Sequence, residues 1–224
     1  MKKVVHDTKR FMLALAASSA VSIGFVIVRV LSTGQTTYVF LAWNLLLAWL
    51  PLLFSWLLVL RLQKTRWFTV ENIFLTFLWL GFLPNTFYIV SDLVHLKDTG
   101  SISILFDLVM FISFAWNGFV LGYMSLFLVH REIKRRYGRL PAHITAAAAL
   151  LLCSFAIYLG RYLRWNSWDI LINPMGLIFD VSDSFINPAA HPNAFTTTLM
   201  FFVLLTSIYA VSYELVTNLQ QNKQ

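Results

Sequence analysis

Six apolar stretches govern what this chain can become. They run over approximately 11–31, 38–60, 72–91, 104–129, 142–163 and 195–217. A helix rises about 1.5 Å per residue, so some 20 residues cross a hydrocarbon core of roughly 30 Å. Each stretch reaches that length. The sequence therefore predicts an all-α fold, a polytopic membrane bundle of six transmembrane helices, with residues 1–224 forming a single integral membrane domain. Composition points the same way: hydrophobic residues make up 58% and charged residues 12%. Soluble domains average about 25% charged residues, and half that share cannot cover a water-facing surface. A soluble enzyme, a disordered chain and a disulfide scaffold are excluded. The single cysteine, Cys153, lies in an apolar run and reads as a packing residue; no CxxC is present to hold zinc.

The net charge of +7 invites a nucleic-acid reading. Its distribution favours topology instead. Lys2, Lys3, Lys9, Arg10, Arg61, Lys64, Arg66, Arg131, Lys134, Arg135, Arg136, Arg139 and Lys223 fall on one side of the predicted bundle, 13 of the 17 basic residues. Arg29, Lys97, Arg161 and Arg164 fall on the other. Cytoplasmic loops carry the basic excess, so both termini are placed in the cytoplasm and no nucleic acid is needed. The run from Arg131 to Arg139, in the predicted loop 130–141, reads as a cytoplasmic anchor near anionic lipid, with binding of a soluble partner as the alternative. The first stretch is too long for a signal-peptide core of about 7–15 residues and reads as a retained helix, with cleavage after the small residues Ala16–Ala20 as the alternative.

The longest non-spanning stretch, 164–194, is predicted on the outer side. Met175, Ile178, Phe179, Ser182, Phe185 and Ile186 recur at helical spacing, with Asp180, Asp183, Ser184 and Asn187 opposite. Asn173-Pro174 and Asn187-Pro188 bound this amphipathic helix. Its acidic face suits water or a basic partner in the same chain, so it is expected as a lid with Asp180 and Asp183 facing Arg161 or Arg164.

Ionisable groups at membrane depth cost about 2.5–3.5 kcal/mol each on the insertion scale. Here they gather near the predicted outer face. Asn85, Tyr88, Asp92 and His95 share one face if the third helix continues past Pro84. Pro84 withholds a backbone donor from the Leu80 carbonyl, which must find a partner in lipid. Asp107 begins the fourth helix, and Gly118-x-x-x-Gly122 lets another helix approach closely. Arg161, Arg164, Trp165 and Trp168 end the fifth helix at helical spacing; guanidinium forks bind phosphate or carboxylate. Trp43 and Asn44 lie near the outer end of the second helix.

These residues define the candidate site. Asp92, His95 and Asp107 are the candidate catalytic groups. Asn44, Asn85, Tyr88, Arg161, Arg164, Trp165, Asn166, Trp168 and Asp169 are the candidate ligand-binding groups. Asp92, His95, Asp107 and the distant His191 have donor types that suit zinc, manganese or iron(II), but their spacing matches no metal motif, so no metal is assigned. A histidine beside two aspartates can move protons. The plainer reading is an ion-pair network, Asp92 or Asp107 with Arg161 or Arg164, that fixes helix ends.

Leu83-Pro84-Asn85 through Tyr88, followed by Asp92-Leu93-x-His95-Leu96, resembles the hallmark of a bacterial membrane family. So does Gly160-Arg161-x-Leu163-Arg164-Trp165-Asn166-Ser167-Trp168-Asp169, and Phe114-Ala115-Trp116-Asn117-Gly118 is similar to it as well. The family is domain of unknown function 1361, and the resemblance covers about residues 38–215. Ser91 stands where its pattern has threonine. The resemblance implies a bacterial integral membrane protein and no particular activity. Three functions stay open: binding or processing of an anionic amphiphile or lipid-linked substrate at an outer-leaflet pocket, transport or flipping, and a non-catalytic assembly or lipid-binding module. The bilayer is the expected partner. Few ionisable groups in the inner halves of the helices argue against a relay across the whole membrane.

Overall fold

The computed structural model describes residues 2–96 and 103–221. Lys97 and Lys223, counted above, lie outside the described residues, as do the side chains of Lys2 and Lys3. The elements are α1 (Lys2–Thr33), α2 (Phe40–Leu62), α3 (Val70–Ser91), a 3-10 turn (Asp92–His95), α4 (Ile104–Tyr137), α5 (Arg139–Tyr162), α6 (Asp169–Ile172), α7 (Pro174–Ile186) and α8 (Pro192–Gln221). No strand occurs among the described residues. Six helices are long and apolar enough to cross a membrane: α1 from Lys9, α2, α3 with its 3-10 turn, α4, α5 and α8 to Leu219.

The expected 130–141 loop is corrected. Helix continues to Tyr137, and α5 starts again at Arg139. Glu132 holds the extra turns by pairing with Arg135 and Arg136, three and four residues on (2.7 and 2.5 Å). Gly138 then breaks the helix with φ 94°, a conformation that favours glycine. Pro84 does not end α3; helix runs through it to Ser91. The amphipathic helix expected over 175–186 is α7, begun by Pro174 at its first turn with Asn173 capping the Gly176 N–H (3.1 Å).

Hydrocarbon drives no helix against another, so close contact and internal hydrogen bonds hold the bundle. Gly118 and Gly122 of α4 lie directly on α3. A Cβ at Gly118 would strike the Thr86 carbonyl, and one at Gly122 would strike the Thr86 hydroxyl and the Phe87 ring. Farther along, Trp79 Nε1 donates to Ser125 Oγ (2.8 Å), and Ser125 donates to the Pro51 carbonyl (3.0 Å), joining α3, α4 and α2. Asn117 binds Ser22 (3.0 Å) and Ser19 (3.3 Å), which ties α1 to α4. Tyr123 donates to the Leu205 carbonyl (3.0 Å), fastening α8.

Gly118→Ala is expected to cost about 1–3 kcal/mol, since the added methyl meets backbone that cannot move aside. Thermal unfolding in detergent should show a lowered Tm. Gly24→Ala, where nothing lies within 4 Å of the new methyl, should show none.

Candidate functional site

The predicted polar residues divide into two clusters and a cleft. Arg161, at the end of α5, organises the first. Its Nη2 donates to Asp92 Oδ1 (2.8 Å) and Ser91 Oγ (2.6 Å), and its Nη1 to His95 Nε2 (2.7 Å). Asn44 of α2 donates to the other Asp92 oxygen (2.8 Å). The Arg161 guanidinium carbon lies 4.6 Å from the Tyr88 ring centre, a cation–π contact. Gly160 makes room for that ring: a Cβ there would lie 2.7 Å from Tyr88 Cε2. The pattern Asn44, Tyr88, Asp92, His95, Gly160, Arg161 is thus one clamp joining α2, α3 and α5. Because arginine can only donate, His95 accepts through Nε2 and carries its proton on Nδ1.

Asp107 does not join Asp92 and His95. It pairs with Arg29 of α1 through two contacts, 2.8 and 3.2 Å, and both side chains are 1% exposed. Arg29 also lies 4.2 Å from the Tyr38 ring centre, and Tyr38 donates to the His95 carbonyl (3.2 Å). The expectation that Asp107 shares a catalytic group with Asp92 and His95 is corrected for a simple reason. A buried carboxylate needs a buried cation, and Arg29 faces it across the α1–α4 contact.

The paired arginine seat is corrected too. Arg161 is held by Asp92, whereas Arg164 is exposed with φ 62° and makes no ion pair among the described residues. The lid charges miss the arginines. Asp180 accepts from Trp165 Nε1 (2.7 Å), and Asp183 meets His191 (2.8 Å) and Asn187 (2.5 Å). His191 also contacts the Tyr158 hydroxyl (2.9 Å). Asp169 accepts from the Asn166 N–H (2.6 Å). Among the described residues no three His, Cys, Asp or Glu side chains gather as metal ligands.

Between these groups opens a cleft of about 430 Å³, lined by α2, α3, α5, the segment 165–170 and α7. Its walls are largely apolar: Leu47, Phe77, Leu80, Leu152, Phe155, Leu159, Leu177 and Val181. Its polar groups are Asn44, Asn85, Tyr88 and the run Trp165-Asn166-Ser167-Trp168. Asn85 donates to Ser167 (2.8 Å), closing that end. Leu80, Gly81 and Pro84 all line the cleft, so the helical turn in which Pro84 withholds its donor forms part of this wall. Neither Arg161 nor Arg164 lines it.

Sequence reasoning missed Ser91, Tyr38 and Ser167, and gave Arg29 no role. It also missed a cluster at the opposite end of the bundle. There His130, buried in α4, bonds Tyr209 (2.8 Å) and stacks on Tyr213, while Lys134 donates to Tyr213 (2.7 Å). The half of α4 toward Tyr137, expected to be poor in ionisable groups, therefore holds more of them than expected. The i, i+4 spacing of His130 and Lys134 in a span was the available signal.

The fold and cleft define a multi-pass membrane helix bundle with an apolar cavity near one face. The chain belongs to the family described as Protein of unknown function (DUF1361), which it matches over residues 43–208. No curated protein and no solved structure matches it. Both motifs, 83–96 and 160–169, fall within the matched range; α1, Arg29 and Tyr38 precede it.

Two outcomes follow. Asp107→Ala is expected to cost about 3–5 kcal/mol, because it strands a buried guanidinium, and Arg29→Met/Asp107→Leu should recover most of that loss; denaturation in mixed micelles compares them. The Asp183 carboxyl is held below the ordinary carboxylate range by His191, then Asn187. This contact is therefore present above the ordinary value and is lost as pH falls through the depressed one. Carbon-13 NMR should show Asp183 titrating below about 3.9, and His191→Ala should raise that midpoint.

Proposed function

We propose that this protein binds an amphiphile, a lipid or lipid-linked molecule, in the cleft near the α7 end, within a bacterial cytoplasmic membrane and with both termini inside. The basic asymmetry supports that orientation, which puts the cleft in the outer leaflet. The carrying observation is the cleft itself: an apolar slot of about 430 Å³ with its hydrogen-bonding groups collected at one end. Its size falls in the range of roughly 300–1,000 Å³ typical of ligand sites. Leu80, Phe155 and Leu177 suit a hydrocarbon chain. Asn85, Tyr88, Ser167 and Trp168 suit a polar head.

Binding is favoured over turnover because Arg161 engages both Asp92 and His95. A base occupied by a guanidinium is not free to take a proton. Charges of both signs lie near the mouth: Arg161 pairs with Asp92, Asp169 follows Trp165 by four residues, and Asp180 accepts from Trp165 Nε1. Arg164, exposed and next in sequence to Trp165 of the cleft wall, is the cation placed to meet an anionic head. Transport is disfavoured by fully buried Leu83, Phe87 and Leu126, which separate the two polar ends.

Native mass spectrometry after gentle extraction tests this reading. The wild-type protein should retain an amphiphile in about 1:1 ratio. Ala156→Trp, which fills the cleft, should lose it while remaining folded by gel filtration, and Arg164→Ala should shift the retained species toward uncharged heads. An empty wild-type protein, or equal retention by Ala156→Trp, refutes it.

A further inference from the structure

We infer that the cleft is reached sideways from the leaflet, with α7 lying in the plane of the membrane as one edge of the opening. The inference rests on the amphiphile reading above. Three residues lining the cleft are also exposed on spanning helices: Trp43 (53%), Phe77 (47%) and Leu152 (52%). Residues of that kind on a spanning helix face acyl chains rather than water. The cleft is therefore open through its lateral wall.

Its depth agrees. Tyr88 and Phe77 both line it, and eleven residues of helix at 1.5 Å each separate them by about 16 Å. That is about half of a hydrocarbon core of roughly 30 Å, the thickness of one leaflet.

The helix α7 is turned inside out relative to a helix on a soluble protein. Three of its large apolar residues face outward, Met175 (73% exposed), Phe179 (69%) and Ile186 (75%), while the Phe185 ring reaches Phe155 of α5 (5.4 Å between centres). Its polar side faces inward, where Ser184 is buried and Asp180 holds Trp165. A third edge, Leu177 and Val181, packs on Tyr158 and Leu159 and lines the cleft. An apolar stripe facing outward, on a helix too short to span, is the pattern of an interfacial helix immersed in the acyl boundary. The occupant of that stripe is the lipid of the same leaflet, continuous with the lipid around α5. The ligand class narrows accordingly to a molecule already dissolved in the bilayer, with a chain about one leaflet long.

The test uses the full-length protein in phosphatidylcholine vesicles, with Cys153→Ala and a bimane probe on Phe179→Cys. Position 179 is exposed, so the probe leaves the interior untouched. Lipids brominated on their acyl chains should quench most of the emission, and aqueous iodide little. The order should reverse for Ala189→Cys, in the exposed turn between α7 and α8. Stronger quenching by iodide at position 179 overturns the in-plane placement. In the same vesicles, a phosphatidylglycerol with a diazirine near its chain terminus should label the cleft wall at Leu80–Gly81, with several-fold less labelling in Leu152→Arg, which puts a charge across the opening. Equal labelling of the two proteins, or none of the wild type, overturns the lateral route. If native mass spectrometry still finds an amphiphile lost on Ala156→Trp, the cleft reading survives that result and only the route fails.

Discussion

A guanidinium near the membrane boundary cannot be left without partners, and most of the architecture at the α7 end follows from Arg161. Its two terminal nitrogens reach Ser91, Asp92 and His95, and its face covers Tyr88. Each partner sits on the last turn of α3 or in the 3-10 turn after it. Asn44 completes the Asp92 shell from α2. A single side chain thus fixes where three helices end relative to one another. The cleft is the space those ends enclose below the 165–170 segment. Arg161 lies behind its wall rather than in it, so the charge shapes the site without facing its contents.

The second buried cation obeys the same rule with a different result. Arg29 and Asp107 neutralise each other out of contact with water, and Tyr38 links that pair to the His95 backbone. The two charge clusters are joined through Tyr38, which links Arg29 of α1 to the turn that Arg161 of α5 holds. Removing one member of either pair leaves a buried charge uncompensated, which costs far more than the pair contributes over an apolar equivalent.

The spans were legible because a bilayer demands length and hydrophobicity, and both are visible in a linear string. The polar face of Asn85, Tyr88, Asp92 and His95 was legible because helical spacing survives Pro84. The pairing of the charges was not. Asp92 and Asp107 are equivalent in sequence, as are Arg161 and Arg164, and only the arrangement of helices decides between them. Charge complementarity also misplaced the partners of α7. Asp180 meets a tryptophan and Asp183 a histidine, because the polar side of the helix faces the bundle and the arginines are reached from elsewhere. The cleft was the least visible feature. Its walls are ordinary leucines and phenylalanines whose inward or outward direction depends on neighbours far along the chain.

The Arg29–Asp107 pair bears on how the chain enters its membrane. Along this sequence α1 precedes α4, so Arg29 is made 78 residues before Asp107, the carboxylate it pairs with. Through that interval α1 holds a bare cation near one boundary, where the long arginine stem lets the charge reach the headgroups. Its seat therefore waits for α4, where Asp107 pairs with the guanidinium and Asn117 donates to Ser22 and accepts from Ser19. The seat of α1 is thus built by a helix that is made after it.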